Sequence, residues 1–329
     1  MSDSESRGVT RWVELADALA DLGGEMAVRT TLLATDVPPT IYHYTDVHGL
    51  LGIVESNELW ASNAVFLNDQ TEIQYAADIT RSVLNELIPS QRNLSISGPR
   101  LMARRSITTV LDNVHDHVQA YVVCFCRQDD LLSQWRGYGR GNGAYSIGFM
   151  PDRLLGRSNR QMRLVRVEYR PEVQAATARQ LIRDWIDVLT KQEVDTIPSF
   201  EGTSEDSVQL LLDHMFGFLF GYIAGTFKHP SFSEEDEYRL TYVYRSRDAA
   251  DDNDPLKVEF QGKLGIVLPY IRFGFKTVDG LAMPLPIKTI RVGPHPDTQL
   301  ASSGIQQLLE LKYPASSIEV KSSLTPLRS

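Results

Sequence analysis

The sequence predicts an α+β fold. Short β-branched and aromatic runs, among them TIYHYT (40–45), AYVVCFC (120–126), AYSIGF (144–149) and IKTIRV (287–292), read as strands. Between them lie longer segments with apolar residues at helical spacing, and the two kinds do not alternate strictly.

Taken in order, residues 11–34 have helical spacing (Trp12, Leu15, Leu19, Leu22) with a break expected at Gly23–Gly24, and Pro38–Pro39 ends this lead-in. We expect residues 1–38 to be an N-terminal helical extension and residues 39–329 a single domain. The strand at 40–45 runs into DVHGLLGIVES, where Val47, Leu50, Leu51 and Val54 share a face and Thr45 or Asp46 can cap. LWASNAVFLND (59–69) reads as extended, and residues 70–88 as helix, with Ile73, Ala76, Ala77, Val83, Leu84 and Leu87 in register. AYVVCFC has the unbroken apolar character of a buried central strand.

DDLLSQWRGYG reads as one or two helical turns capped by Asp129 or Asp130, and RGNG (140–143) as a turn. Strands follow at 144–149 and 164–170, then a helix-rich insertion over 172–227 with a polar break at 195–206. An acidic strand (235–245), an acidic loop (248–255), a helical or extended piece (261–273), the strand 287–292, a helix (298–311) and a short strand (317–321) complete the chain.

Composition narrows the function classes. The chain has 329 residues, 42% hydrophobic and 23% charged, enough to bury a substantial core. Its net charge of −9, from 33 basic and 42 acidic residues, argues against coating nucleic acid, although a local basic cleft stays open. Cys124 and Cys126 are the only cysteines and form neither a CxxC pair nor a disulfide framework, which points to a reducing cytoplasm and to structural burial. MSDSESRG at the N-terminus is not a signal peptide. MFGFLFGYIAGTF (215–227) has thirteen residues, short of the roughly 20 that span a bilayer, so it reads as a buried helix and no membrane partner is expected.

FSEEDEYRL (232–240) is the most conspicuous stretch. On a strand, Glu235, Glu237, Arg239 and Thr241 would share one face, and Tyr238, Leu240, Tyr242 and Tyr244 the other. Taken alone, the charged face reads first as a solvated edge, with Arg239 offsetting acid repulsion. The functional alternative is a carboxylate pair lining a cleft and held by Arg239. His43 faces away from Tyr42 and Tyr44 and reads first as a hydrogen-bonded structural residue, although its strand leads to a helix N-terminus suited to an anion. Trp135, Tyr138 and Tyr145 lie among glycines with Arg136 and Arg140, a set suited to a planar phosphorylated ligand or to a packed hairpin. His115 and His117 in HDH point apart on a helix, and no metal is expected. Neither a dinucleotide fingerprint, a P-loop nor a G-x-S-x-G elbow is present.

In order, the strings IYHYTD..GLLGIVESNELWAS...FLND..E, CFCRQDDLLSQWRGYGRGNGAYSIGF, FKHPSFSEEDEYRL, IRVGP and VKSSLTPLR resemble the bacterial family known as domain of unknown function 2971. The resemblance runs from residue 41 to about 328 and departs at Gln70, where the family often carries proline. The pattern is in turn similar to that of ADP-ribosyltransferases, which implies a split, mostly antiparallel sheet. Such folds use a first-strand His or Arg, a middle-strand aromatic or Ser, and a late-strand Glu. His43, the Tyr138–Tyr145 region and Glu237 stand in those places.

The resemblance implies an NAD-dependent ADP-ribosyltransferase that cleaves the nicotinamide–ribose bond and modifies a macromolecular acceptor, protein or nucleic acid. Its implied setting is bacterial conflict or phage defence, with partner proteins of such a system. Glu237 would face the ribose and stabilise the oxocarbenium-like centre, and Glu235 would orient the acceptor or take its proton. His43, with Tyr44 and Thr45 beside it, would hold the adenosine-side ribose. A tyrosine (Tyr138 or Tyr145) near Trp135 would stack on nicotinamide, and Arg136, Arg140 or Lys228 would meet the pyrophosphate. Arg239 would keep the acids ionised. The alternatives are an NAD glycohydrolase and a non-catalytic module that senses a nucleotide or a phage protein in the same pocket.

Overall fold

The computed structural model describes residues 3–30, 37–67, 71–89, 98–139, 143–155, 162–197, 206–244, 257–263, 265–276, 282–314 and 317–326. The predicted RGNG turn at 140–142, with Arg140, and the acidic loop 248–255 lie outside these residues.

Helix α1 (Asp3–Thr30) runs through Gly23 and Gly24, where a break was expected. Packing explains this: Gly23 lies under the Phe218 ring, which a Cβ would meet at 3.2 Å, and Leu15, Leu19, Leu22 and Met26 are buried. Strand β1 (Ile41–Asp46) passes directly into α2 (Val47–Ser56), and of the two candidate caps it is Asp46 that accepts from the Gly49 amide, at 2.8 Å. Strand β2 (Glu58–Asn63) ends earlier than expected, in a single 3-10 turn at 64–66, before α3 (Thr71–Leu87). Helix α4 (Gly98–Asp112) was not singled out by the periodicity, and HDH lies on the short α5 (Val114–His117).

Strand β3 (Ala120–Cys126) is followed by α6 (Leu132–Tyr138), which neither Asp129 nor Asp130 caps. Next come β4 (Ala144–Phe149), α7 (Pro151–Leu155) and β5 (Arg163–Arg166), then the paired helices α8 (Pro171–Lys191) and α9 (Asp206–Ala224). The acidic strand is shorter than predicted: β6 (Glu237–Val243) begins only after a 3-10 turn at 230–235. The segment left open between helix and strand is a hairpin of β7 (Val258–Lys263) and β8 (Ile266–Lys276). The chain closes with β9 (Ala282–Met283), β10 (Ile287–Val292), α10 (Thr298–Lys312) and β11 (Glu319–Ser322).

Among the described residues the strands form one mixed, mostly antiparallel open sheet in the order β11-β10-β4-β1-β3-β2-β8-β7, with β6 and β5 branching from β3; only β10 and β11 are parallel. The branch point makes the sheet divide. One edge of β3 pairs with β6 along its whole length. On the other edge only the ends are paired, Cys126 with Tyr42 of β1 and Tyr121 and Val122 with Asn63 and Ser62 of β2. Between these ends β1 and β2 diverge.

Side-chain alternation gives the two faces different neighbours. Tyr121, Val123 and Phe125 pack with Tyr238, Leu240, Tyr242, Leu50, Ile53, Val54 of α2 and Ile305 and Leu309 of α10. The opposite face, with Ala120 and Val122, lies under a helical layer of α1, α3, α4, α8 and α9. Helix α9 is apolar and long enough to cross a membrane by length and composition, but Leu212, Phe216, Leu219, Phe220 and Ile223 are buried in this layer.

Candidate functional site

The acidic stretch reaches its position through an unusual turn. Asp236 adopts φ 39, left-handed backbone that aspartate tolerates better than most residues, and its carboxylate accepts from Arg166 at 2.7 and 3.0 Å. This turn separates Glu235 from the strand, so the two glutamates do not share a strand face as the sequence suggested. Nor is β6 a solvated edge: it is paired with β3 on one side and β5 on the other.

Glu235 and Glu237 nevertheless converge on Lys228, whose Nζ lies 2.7 Å from Glu235 Oε2, 2.9 Å from Glu237 Oε2 and 3.1 Å from Glu72 Oε1. The backbone of Lys228 is fixed by Gln174, buried at α8, whose Nε2 donates to the Lys228 carbonyl at 2.9 Å. Arg239 closes the cluster: Nε donates to Glu237 Oε1 at 2.7 Å, one Nη to Glu72 Oε2 at 2.6 Å, and the other to the Gly225 carbonyl at 2.9 Å. Glu72, Lys228, Glu237 and Arg239 are 5%, 7%, 2% and 1% exposed, so charges are buried here on both sides of neutrality. With three carboxylates against two cations, the cluster carries one formal negative charge in excess.

Burial alone would raise the Glu237 carboxyl, but Arg239 and Lys228 outweigh it and hold it down at about 2. Glu235 behaves oppositely: burial lifts its carboxyl above the ordinary value, against the pull of Lys228 and with the help of the Glu237 charge. The two acids therefore differ: Glu237 is held ionised by its cations, and burial makes Glu235 the readier of the two to hold a proton.

Around this cluster two groups are half-buried rather than fully buried: Glu235, and Cys124, which is the only residue of β3 that is not fully buried. Burial first and the Glu237 charge second push the Cys124 thiol well above the ordinary value. Tyr138 of α6 and Tyr169 are also half-buried. Tyr138 packs against the small cluster of Tyr44, Cys126, Trp135 and Ala144, and burial first, then the Cys124, Cys126 and Glu237 charges, raise its hydroxyl. The Tyr169 hydroxyl accepts from the Glu237 amide at 3.2 Å. These groups bound the candidate crevice, with the ionic cluster beneath and the two phenols beside it.

The candidate residues divide between the two faces of the sheet. Tyr42 pairs with Cys126, and Cys126 with Glu237, so Tyr42, Tyr44, Cys126 and Glu237 point to one side and His43 to the other. His43 Nδ1 lies 2.9 Å from the Cys124 carbonyl, and its ring meets Phe125 edge-on at 5.9 Å. A carbonyl only accepts, so Nδ1 carries the proton, and the imidazole serves the edge of β3 that β1 and β2 leave open. Thr45 and Tyr145 are partners in register on the His43 side, and Tyr145 is buried among apolar neighbours.

On the Glu237 side, Tyr44 donates to the Gln128 carbonyl and accepts from the Leu131 amide. Trp135 is 1% exposed, its ring packed edge-on to Tyr44 at 4.8 Å, so it offers no open face for stacking. Arg136 is exposed on α6. The structure thus gathers Tyr138, Lys228, Glu235, Glu237 and Arg239 at the crevice, with Tyr44 and Trp135 beneath α6, and leaves His43, Thr45 and Tyr145 behind the sheet. The residue that sequence reasoning missed is Glu72. Its signal was the acid that ends FLND..E, in the first turn of α3. Among the described residues no group of His, Cys, Asp and Glu side chains is placed to hold a metal ion.

Fold and site together define an α+β protein with a buried ionic cluster beside the branch point of its sheet. A family model described as "Protein of unknown function (DUF2971)" matches residues 134–240, which supports placing this segment in that family. The matched segment runs from α6 into β6 and carries Tyr138, Lys228, Glu235, Glu237 and Arg239, but not β1 or Glu72. No curated protein and no solved structure matches the chain.

Proposed function

We propose that this crevice is the active site of an NAD-dependent ADP-ribosyltransferase-like enzyme, acting on a macromolecular acceptor. The observation that carries the reading is Glu237: an ionised carboxylate on a late strand, in a cluster with excess negative charge, beside the half-buried Cys124. In a low-dielectric site such a charge favours the positive centre that develops as the nicotinamide–ribose bond breaks. Nicotinamide departs with the bonding electron pair, the acceptor's nucleophile bonds to the ribose carbon, and its proton passes to Glu235, the acid that burial makes the better base.

The geometry changes the supporting cast. Among the aromatic groups on the Glu237 side, Tyr138 and Tyr169 are the half-buried ones that border the cluster, whereas His43 lies behind the sheet and contributes to the sheet's integrity. Lys228 is engaged by three carboxylates, so pyrophosphate contacts fall to other groups, with Arg136 the exposed cation on α6.

One observation favours a second reading, a nucleotide-binding module without turnover. Both Glu237 oxygens are already bonded, Oε1 to Arg239 and Oε2 to Lys228 and Arg239, as in a purely structural ion cluster. Incubation with NAD labelled in its adenine and nicotinamide halves, with and without cell lysate, separates the readings. Label on a macromolecule supports transfer, free ADP-ribose indicates a glycohydrolase, and binding without nicotinamide release indicates the module. Absence of binding removes NAD altogether.

A further inference from the structure

Three segments distant in sequence meet at the Asp130 carboxylate. Oδ1 accepts from Trp135 Nε1 at 2.7 Å, from Ser323 Oγ at 2.5 Å and from Thr325 Oγ1 at 2.9 Å, while Oδ2 accepts from the Leu324 amide at 2.8 Å. Arg291 of β10 braces the same place, bonding Asp129 Oδ2 at 2.8 and 3.0 Å and the Ser322 carbonyl at 2.6 Å. Burial would raise the Asp130 carboxyl, but these donors outweigh it and keep the group ionised.

Apolar packing contributes little to residues 323–325: Leu324 is 89% exposed. Among the described residues, apart from one backbone bond, Ser323 N to the Val292 carbonyl at 2.7 Å, the hydrogen bonds that tie this strap to the rest of the chain end on Asp130. On the other side of Asp130, Trp135 anchors α6 against Tyr44, and one helical turn further on α6 carries Tyr138, packed against the cluster that contains Cys126, two residues along β3 from Cys124.

We propose that residues 323–325 are a releasable latch and Asp130 the positioning residue on which it closes. The strap's donors orient Asp130, Asp130 fixes Trp135, and α6 then holds Tyr138 over the crevice floor. Releasing the strap swings Tyr138 aside and widens access to Cys124 and Glu237. The functional meaning of this access rests on the crevice being a ligand site, but the opening itself does not require NAD and is measured without it.

The test is the rate at which N-ethylmaleimide modifies Cys124 in the full-length protein, read by fragment-ion mass, with amide hydrogen exchange of α8 and α9 as the reference for general loosening. Asp130→Ala should raise the Cys124 rate about tenfold, the order expected for loss of a few hydrogen bonds to an ionised group. Ser323→Ala with Thr325→Val should shift it in the same direction, Asp130→Asn should fall between, and Leu324→Ala should leave it unchanged. Melting temperature is followed in parallel. Unchanged Cys124 labelling in a folded Asp130→Ala protein overturns the latch, as does a parallel rise in hydrogen exchange across α8 and α9, which would mean general loosening. If Asp130→Ala does not fold, the Ser323→Ala, Thr325→Val protein decides by the same criteria.

Discussion

Lys228 and Glu237 form an ion pair in the protein interior, Nζ to Oε2 at 2.9 Å, with side chains only 8% and 3% exposed. Neither charge could remain there alone, because each stands in for the water the other has lost. Lys228 also bridges Glu72 and Glu235, so α3, the 230–235 turn and β6 are joined through one ammonium group.

Removing that ammonium should therefore be costly. Lys228→Met keeps the length of the side chain and leaves three carboxylates facing Arg239 alone; we expect a loss of about 3–5 kcal/mol in chemical denaturation. Adding Glu235→Gln should recover part of it, since one unpaired charge disappears. A loss below about 1 kcal/mol would show that water reaches the cluster freely.

The two glutamates should respond differently to neutralisation. Glu237→Gln removes the ligand of both cations and should destabilise the protein by about 1–3 kcal/mol while abolishing nicotinamide release. Glu235→Gln should leave stability at neutral pH unchanged or raised, because burial already disfavours its ionised form. It should lower transfer to an acceptor more than hydrolysis. Melting curves beside labelled-NAD turnover check both, and equal destabilisation by the two changes would contradict the assignment.

Acid should expose the same difference. Glu237 is held at about 2, below its usual 4.5, so its contribution is complete above pH 4.5 and is lost as pH falls toward 2. The shift corresponds to a contribution on the order of 3 kcal/mol. Glu235 is raised, so it works in reverse: protonating it stabilises the fold as pH falls through its elevated value. Stability measured against pH should therefore drop below pH 4.5 in the wild type, and this drop should be shallower in Glu237→Gln.

His43 and Tyr44 are adjacent but should fail differently. His43→Ala loses the bond to the Cys124 carbonyl and the Phe125 contact, and should cost about 1–2 kcal/mol without changing NAD affinity in the folded protein. Tyr44→Phe frees Gln128 and Leu131, which should loosen α6 and speed hydrogen exchange there. Weaker NAD binding by folded His43→Ala, measured calorimetrically, would return the histidine to the site.

Much of the architecture was legible because it depends on local periodicity. TIYHYT, AYVVCFC, AYSIGF and IKTIRV each became the strand their composition predicted, and α9 is the buried helix its glycines and aromatics suggested. The alternation of Tyr238, Leu240 and Tyr242 against Glu237 and Arg239 was also correct. Gly23–Gly24 misled, because a neighbouring ring compensates for what glycine costs a helix.

The site was legible only as a set of residue types. The sequence by itself determined that acids and an arginine would crowd the start of β6, and that His43 would face away from Tyr42 and Tyr44. Tertiary structure decided the rest. The helical layer over β6 turned an apparently solvated face into the most buried charge among the described residues. The left-handed Asp236 took Glu235 off the strand yet brought it back to Lys228. Register across β1, β3 and β6 put His43 behind the sheet and Glu237 in front of it. Strand alternation is local, so a sequence can reveal it; which face of one strand meets which face of another depends on long-range pairing, and no window along the chain contains that.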